Sequence, residues 1–514
     1  MKKTIIALLA ILPTIANAQI PEDAVRYSWL TLNGTARNQA IGGAMGSLGG
    51  DITATFVNPA GIGFYKTNEA TLSGGLSMQT AHTSYFNNKT NKKDNAFSLG
   101  TSGFAIAIPN YYNSKKTNSF SLAVTQTANF NNNISYKGFN KVSSYAEQFA
   151  EEFVASKQSI DDVLNSNSAF PFTLAPALFT YLIDTVRVNG KLVVKAAPED
   201  ILAAGQALEQ QMLKTTSGGM YEIGAAYAGN DGKKLLWGVA IGIPIINYQS
   251  NTLYTEKDTS SNTSNGFKSF TYQDNYTTKG AGFNAKLGLI YRPKDYIRLG
   301  LAVHTPSFIS LTDSRQANIK TALENPLGTF ETTSDQFSNN QRGQARYAQN
   351  MPWKVLVSGS YVFREVEDVT KQRGFVTADL EYVRHSGTRF NSDNEEPSPS
   401  ETNYFKQLNN VVKDIYKGAI NARLGGEVKF NTIMGRLGVG YYGNPYKDAP
   451  IKASRVTLSG GLGYRHKGFF ADLTYVYRVT KDFDVPYRLQ NEDVLYASLN
   501  QQAGNVIGTI GIKF

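Results

Sequence analysis

Apolar and polar positions alternate with period two through the C-terminal third of the chain. Between 454 and 465, Val456, Leu458, Gly460, Leu462 and Tyr464 share one face, and Arg455, Thr457, Ser459, Gly461, Gly463 and Arg465 share the other. The next run sets Ala471, Leu473, Tyr475 and Tyr477 against Asp472, Thr474 and Arg478. The run 420–430 sets Ile420, Ala422, Leu424, Val428 and Phe430 against Asn421, Arg423, Glu427 and Lys429. Strand-like runs of this kind recur near 70–80, 95–109, 117–136, 218–229, 233–257, 267–292, 295–310, 342–364, 374–390, 417–430, 433–444, 454–466, 468–480 and 503–514. That is about fourteen, an even number, as single-chain barrels have.

Connections alternate in character. Short turns such as Gly229-Asn230-Asp231-Gly232, Arg292-Pro293-Lys294, Asn431-Thr432 and His466-Lys467-Gly468 are separated by long polar loops. Short turns belong on the periplasmic side of a transmembrane barrel and long loops on the outer side. A soluble sandwich would also alternate, but its apolar face would meet a second sheet and its loops would lack this asymmetry. The expected fold class is therefore all-β, a transmembrane antiparallel β-barrel over 70–514. In the last run, Val506, Gly508, Ile510, Ile512 and Phe514 form the lipid face, and closure against the strand near 70–80 is expected.

The other end of the chain explains how such a protein would reach a membrane. Lys2 and Lys3, the apolar run Ile5 to Ile15 and Ala16-Asn17-Ala18 have the order of a secretory signal peptide over 1–18, with Gln19 first after cleavage. A membrane anchor is the competing reading, but the run falls well short of the roughly 20 residues a spanning helix needs. No cysteine occurs, which excludes lipid acylation at the cleavage site, disulfides and thiolate metal sites.

Composition agrees with a barrel. Mean hydropathy is −0.30 because lipid-facing and lumen-facing residues average out. The 46 Gly, 29 Tyr and 28 Phe suit closely packed strands and aromatic girdles. The formal charge of +10 would suit an anionic lipopolysaccharide surface. It is scattered rather than focused in a patch, so no nucleic-acid partner is expected.

Two loops carry more than spacing. In 137–217, Tyr145 to Lys157 and Glu199 to Leu213 place Phe149, Phe153, Ile201, Leu202, Leu208 and Leu213 at helical spacing, so two short surface helices are expected there. They would either cap the barrel mouth or gather an apolar ligand. The loop Asn391 to Tyr416 contains the polar stretch Asn394 to Ser400, expected to be mobile.

The segment 19–69 has no barrel pattern and is crowded with small residues: Ala36 to Asp51, then Phe56-Val57-Asn58-Pro59-Ala60-Gly61-Ile62-Gly63. Pro59 fixes its own φ and glycines permit tight turning, which predicts compact folding. A phosphate-binding loop is excluded, since no Gly-Lys-Ser/Thr follows.

This small-residue segment leading to Asn58-Pro59-Ala60-Gly61 resembles the FadL and TodX type of outer-membrane channel for long-chain fatty acids and other hydrophobic compounds. Ala24-Val25-Arg26-Tyr27-Ser28 and Gly42-Gly43-Ala44-Met45-Gly46 resemble the branch often labelled hemin receptors or transport proteins. The resemblance implies a fourteen-stranded barrel whose residues 19–69 form a hatch in the lumen, with Asn58, Pro59, Ala60 and Gly61 in it. It implies passive uptake of an apolar molecule, captured at outward loops and released to the periplasm or sideways into the membrane. Phe514 resembles the terminal signal read by the barrel-assembly machinery.

Candidate ligand chemistry is sparser. A fatty acid needs an apolar slot and a cation or several donors for its carboxylate. Lumen-facing Arg298, Arg423, Arg436 and Arg455 are candidates, and pairing with lumen acids such as Glu427 and Asp472 is the alternative role. Of His82, His304, His385 and His466, only His304 is expected to face the lumen; a lone histidine does not make a haem site, although Tyr can also ligate haem and 29 are present. No Gly-x-Ser-x-Gly elbow or grouped nucleophile and base points to an enzyme. No cofactor or metal is expected, and the chain is expected to be a monomer. A hemin-binding protein, a general porin or an adhesin remains the competing function.

Overall fold

A computed structural model describes residues 23–29, 33–110, 112–113, 116–188, 191–364, 373–447, 453–490 and 492–514. The signal-peptide reading, 1–18, lies outside the described residues. The chain forms a closed antiparallel barrel of 14 strands. Strand 1 is Glu69–Tyr85. Strand 2 runs through Asn88–Leu99 and Ser102–Pro109, and strand 3 through Thr117–Asn129 and Asn132–Asn140. Strands 4, 5 and 6 are Leu208–Asn230, Leu235–Asp258 and Phe267–Lys294. Strand 7 joins Ile297–His304 to Phe308–Leu323, and strand 8 joins Gly343–Asn350 to Lys354–Phe363. Strand 9 joins Gly374–Arg384 to Arg389–Ser392. Strands 10 to 14 are Gly418–Phe430, Ile433–Tyr442, Ser454–His466, Phe469–Asp484 and Ala497–Lys513.

The closure expected from the alternation is present. Strand 14 pairs with strand 1 from Glu69↔Lys513 to Ser84↔Ser498. Outward faces are apolar as read: Leu458, Leu462, Leu473, Ile420, Leu424, Ile510 and Phe514 are exposed on the exterior, where lipid would cover them. Outward aromatics gather near both edges of this band. Tyr291, Tyr361, Phe430, Tyr464 and Phe469 lie toward the short-turn rim, and Tyr382, Tyr441, Tyr475 and the stacked Phe283–Phe308 pair lie farther up. On strand 6, Phe283 and Tyr291 are separated by about 26 Å of strand, which a tilt near 40° projects to about 20 Å of membrane normal.

Three connections differ from expectation. The first outward connection is no long loop. Strands 1 and 2 continue to a two-residue turn, Phe86-Asn87, both at positive φ (45° and 63°), the geometry that two-residue hairpins favour. The stretch Asn88 to Asp94 looks like loop because it is all polar, yet it is a strand whose lysines suit an unprotected edge.

The expected helix 199–213 ends early. Helix Glu199–Ala203 is followed by Leu208, already in strand 4, because Leu208, Gln210 and Met212 alternate inward with the strand period. The long outward loop also holds Tyr145–Ser156, Ile160–Val163 and Leu174–Phe179, plus a hairpin of Ile183–Val188 and Lys191–Ala196.

Finally, the loop Asn391 to Tyr416, in which only the mobile polar stretch Asn394 to Ser400 is expected, contains a 17-residue helix, Pro399–Ile415, capped by Ser398 accepting from the Glu401 amide. Tyr404, Phe405, Leu408, Val411 and Val412 recur at helical spacing and form its buried face.

Candidate functional site

The barrel lumen is occupied by residues 23–29 and 33–65. Short helices Ala36–Ala40 and Ala54–Val57 and a 3-10 helix Pro59–Phe64 are linked by tight turns. Thr35 caps the first, its hydroxyl accepting from the Asn38 amide, and also donates to Asp51 (2.7 Å). Asn58 caps the 3-10 helix by accepting from the Ala60 amide (3.1 Å), and Pro59 starts it at the position where a missing N–H costs nothing.

The segment touches strand after strand around the wall. Thr509 of strand 14 accepts from the Ala36 amide (2.8 Å), and Thr474 of strand 13 donates to the Ala36 carbonyl (2.6 Å). Ser459 of strand 12 donates to the Ala40 carbonyl (3.1 Å). Asp379 of strand 9 accepts from the Met45 and Gly46 amides (3.1 Å each), and Ser47 meets Ser358 of strand 8 (2.7 Å). Thr55 meets Ser121 of strand 3 (2.7 Å).

Two wall glycines allow close approach. A methyl at Gly288 would fall on the Asn58 side-chain oxygen, and one at Gly438 on the Gly42 amide. Ile41, Met45, Leu48 and Val57 pack on Ala302, Leu356 and Phe375, while Ile62 and Tyr65 pack on Ala105, Ala226 and Ala240. At these points the wall meets the segment with hydroxyls and the Asp379 carboxylate, and it supplies small residues where the segment passes.

Above it the lumen is largely aromatic and apolar, with the buried Asp23–Arg26 pair and Asp313 set among the rings. Ala24, Val25, Tyr27 and Trp29 sit among Met220, Ile246, Tyr248, Ile309, Tyr347 and Phe390, covered by Tyr404, Phe405 and Leu408 of helix Pro399–Ile415. Asn409 fixes that helix by exchanging two hydrogen bonds with the Phe390 backbone (2.8 Å each). The helices of the 141–207 loop form a second cluster over the mouth, with Phe149, Phe172, Leu174 and Leu178 against Tyr254, Phe270, Tyr272 and Phe337.

The wall is discontinuous beside Asn88–Leu99. Strand 3 pairs with Ser102–Pro109 near the short-turn rim, but among the described residues no ladder joins Asn88–Leu99 to Asn132–Asn140. Side chains bridge instead: Gln79 donates to Asn132 (2.7 Å), and Thr83 and Thr90 both reach the Ser135 carbonyl.

Neither a family model nor a curated protein sequence matches this chain. Among solved structures, the P. putida toluene transporter TodX is similar over 94% of this chain and 99% of its own, at 12% identity and a TM-score of 0.52. A Pseudomonas aeruginosa FadL homologue covers 95% and 98% at 12% identity and a TM-score of 0.48. The Ralstonia pickettii toluene transporter TbuX covers 94% and 99% at 14% identity and a TM-score of 0.46. The fold is that of the FadL and TodX type.

Within this FadL/TodX-type barrel the four candidate arginines all face the lumen but do not converge. Arg298 donates to the Leu48 carbonyl (2.9 Å) and lies over the Phe64 ring. Arg455 reaches the Trp29 carbonyl and stacks on its ring, 3.9 Å to the centroid. Arg423 pairs with Glu381 (3.4 Å), and Arg436 bridges Glu427 (2.6 Å) and Asp472 (2.5 Å).

His304 faces inward as expected, its Nε2 donating to the Val57 carbonyl (2.9 Å). His385 is buried as well, with Nδ1 3.0 Å from the Ser28 hydroxyl, which the alternation missed because a short 3-10 turn breaks strand 9 there. Sequence reading also missed Asp379 and Trp29 as anchors of the luminal segment; the only signal for Asp379 was an acid on an inward position of a strand.

Proposed function

We propose that this chain is an outer-membrane channel for passive uptake of hydrophobic small molecules, long-chain fatty acid-like, with residues 19–69 as its hatch. What carries this reading is the pairing of two features in one lumen. A largely aromatic, apolar chamber sits toward the long-loop rim, and beneath it a small-residue segment is held to the wall by individual polar contacts. Such contacts exchange readily for water, so the segment can shift while the barrel ladders stay intact.

Residues Ala24 to Trp29 occupy the chamber, and an apolar ligand would replace their contacts there. In this reading Asn58, Pro59, Ala60 and Gly61 are the gating residues. Arg298 and Arg455, both bound to luminal carbonyls, are the better-placed candidates to exchange that partner for a ligand carboxylate, whereas Arg423 and Arg436 hold lumen acids. The discontinuity beside Asn88–Leu99 offers a sideways route, and the short-turn rim, toward the periplasm, the other. Residues 1–18 direct export, Phe514 is read by the barrel-assembly machinery, and lipopolysaccharide surrounds the outer half.

The test is uptake of a fluorescent fatty acid into vesicles holding the native chain or one with Asn58-Pro59-Ala60 replaced by Gly-Ser-Gly. A changed flux with an intact, heat-modifiable barrel supports the reading; an unchanged flux removes the role of these residues.

A further inference from the structure

Beyond uptake, the short-turn rim carries a basic pocket on two neighbouring turns. It is a concavity of about 590 Å³ lined by Lys233, Lys234, Arg292, Pro293, Lys294, Asp295 and Tyr296. The turns are tied together by backbone: the Arg292 amide donates to the Lys234 carbonyl (2.8 Å), and the Arg292 guanidinium donates to the Lys233 carbonyl (3.1 Å). The guanidinium also lies against Phe64, 5.7 Å to the ring centroid, so it is held from one side and presents its remaining donors. Its Nε is buried without a hydrogen-bond partner.

The nearby acid Asp231 attracts Arg292 and so offsets part of the positive charge. Its carboxylate is turned onto the Lys233 and Leu235 amides of its own turn (2.7 and 3.0 Å). Four cations still face only two acids, Asp295 in the lining and Asp231 beside it. Depth adds the second constraint. Tyr296 lines the pocket and packs on outward Tyr361, 5.5 Å between ring centroids, in the aromatic girdle that marks the headgroup level. A basic pocket at that depth fits a phosphate, with a planar guanidinium and flexible ammonium groups as donors.

We propose that this pocket binds a phosphate group at headgroup depth, carried by an anionic phospholipid or supplied free from solution. The site depends on the barrel lying in a membrane and not on what passes through it.

The test uses the full chain, delipidated in detergent, with equimolar dioleoylphosphatidylglycerol and dioleoylphosphatidylethanolamine, and bound lipid read by native mass spectrometry. The expected result is about a tenfold preference for phosphatidylglycerol. The preference should vanish in Lys233→Gln/Arg292→Gln/Lys294→Gln and persist in Lys66→Gln/Lys467→Gln, which alters exposed lysines elsewhere on the rim. A calorimetric arm titrates inorganic phosphate. Heat of binding that the triple variant loses, without lipid preference, assigns the site to free phosphate. No lipid preference and no phosphate binding by the native chain overturns the proposal, and so does an equal loss in the Lys66/Lys467 variant. The native measurements decide even if the triple variant fails to fold.

Discussion

Replacing Asn58 by alanine should loosen the luminal segment without opening the barrel. Asn58 is fully buried, donates to the Gly46 carbonyl (2.6 Å) and accepts from the Ala60 amide (3.1 Å). Alanine removes these two bonds and the longer ones to the Leu289 and Leu301 carbonyls of the wall (3.3 and 3.4 Å), and leaves the Gly46 carbonyl and the Ala60 amide buried. Each net bond is worth about 1 kcal/mol, and each stranded group costs about 1–3 kcal/mol. Because the segment can relax toward water, about 2–4 kcal/mol is expected, which raises its opening equilibrium by about 30- to 700-fold.

Amide hydrogen exchange reads this directly. Residues 54–64 should lose protection by that factor, while strands 10 to 14, whose ladders Asn58 does not touch, should be unchanged. Gly288→Ala should act in the same direction from the wall side, because its methyl would occupy the place of the Asn58 oxygen. Unchanged protection over 54–64 in Asn58→Ala would refute the reasoning, and so would equal loss over the whole barrel.

Three further outcomes follow from other parts of the molecule. Arg436→Met strands Asp472 and leaves Glu427 only its longer pair with Arg37 (3.6 Å), so unfolding stability in urea should fall by about 3 kcal/mol, the low end for a broken buried pair; a loss under about 1 kcal/mol would show that the cluster is solvated. On the outer helix Tyr145–Ser156, burial pushes the Glu152 and Glu147 carboxyls up to about 7, against hydrogen bonds from Thr173 and the Ser144 amide respectively. Their folded values lie above the unfolded one, so the helix should be most stable below the ordinary carboxylate range and lose stability as pH rises through 7. Exchange over 145–156, corrected for intrinsic rate, should be faster at pH 8 than at pH 6, and Glu147→Gln/Glu152→Gln should abolish the difference. Phe514→Ala removes an exposed lipid-facing aromatic from the closing strand and should reduce the heat-modifiable fraction in cells while leaving the purified barrel's melting temperature within a few degrees; equal assembly would remove its signal role.

Strand order, closure and inward positions were legible because lipid and lumen impose opposite polarity on alternate residues, and Val456 to Tyr464 or Val506 to Phe514 display that directly. The Phe86-Asn87 turn was not, because Lys89 to Asp94 is polar on both faces and carries no alternation. Helix Pro399–Ile415 was legible in principle, since Ser398-Pro399 with Glu401 is a helix start and Tyr404, Leu408 and Val411 follow at helical spacing, but the polar stretch before it hid the pattern.

The lumen was half legible. The small residues from Ala36 to Gly63 announced close packing, and alternation put Arg298, Arg423, Arg436 and Arg455 inside. Which of them would meet a luminal carbonyl and which an acid depends on contacts between residues hundreds of positions apart, such as Arg455 with Trp29, and no local pattern encodes those.

The central claim is that hydrophobic molecules, and not ions, cross this barrel. Purified native chain in planar bilayers and in vesicles tests it by ion conductance and fatty-acid flux measured side by side. The expected result is saturable fatty-acid flux with little steady conductance. Large steady conductance without fatty-acid flux would contradict it and make the chain a general porin.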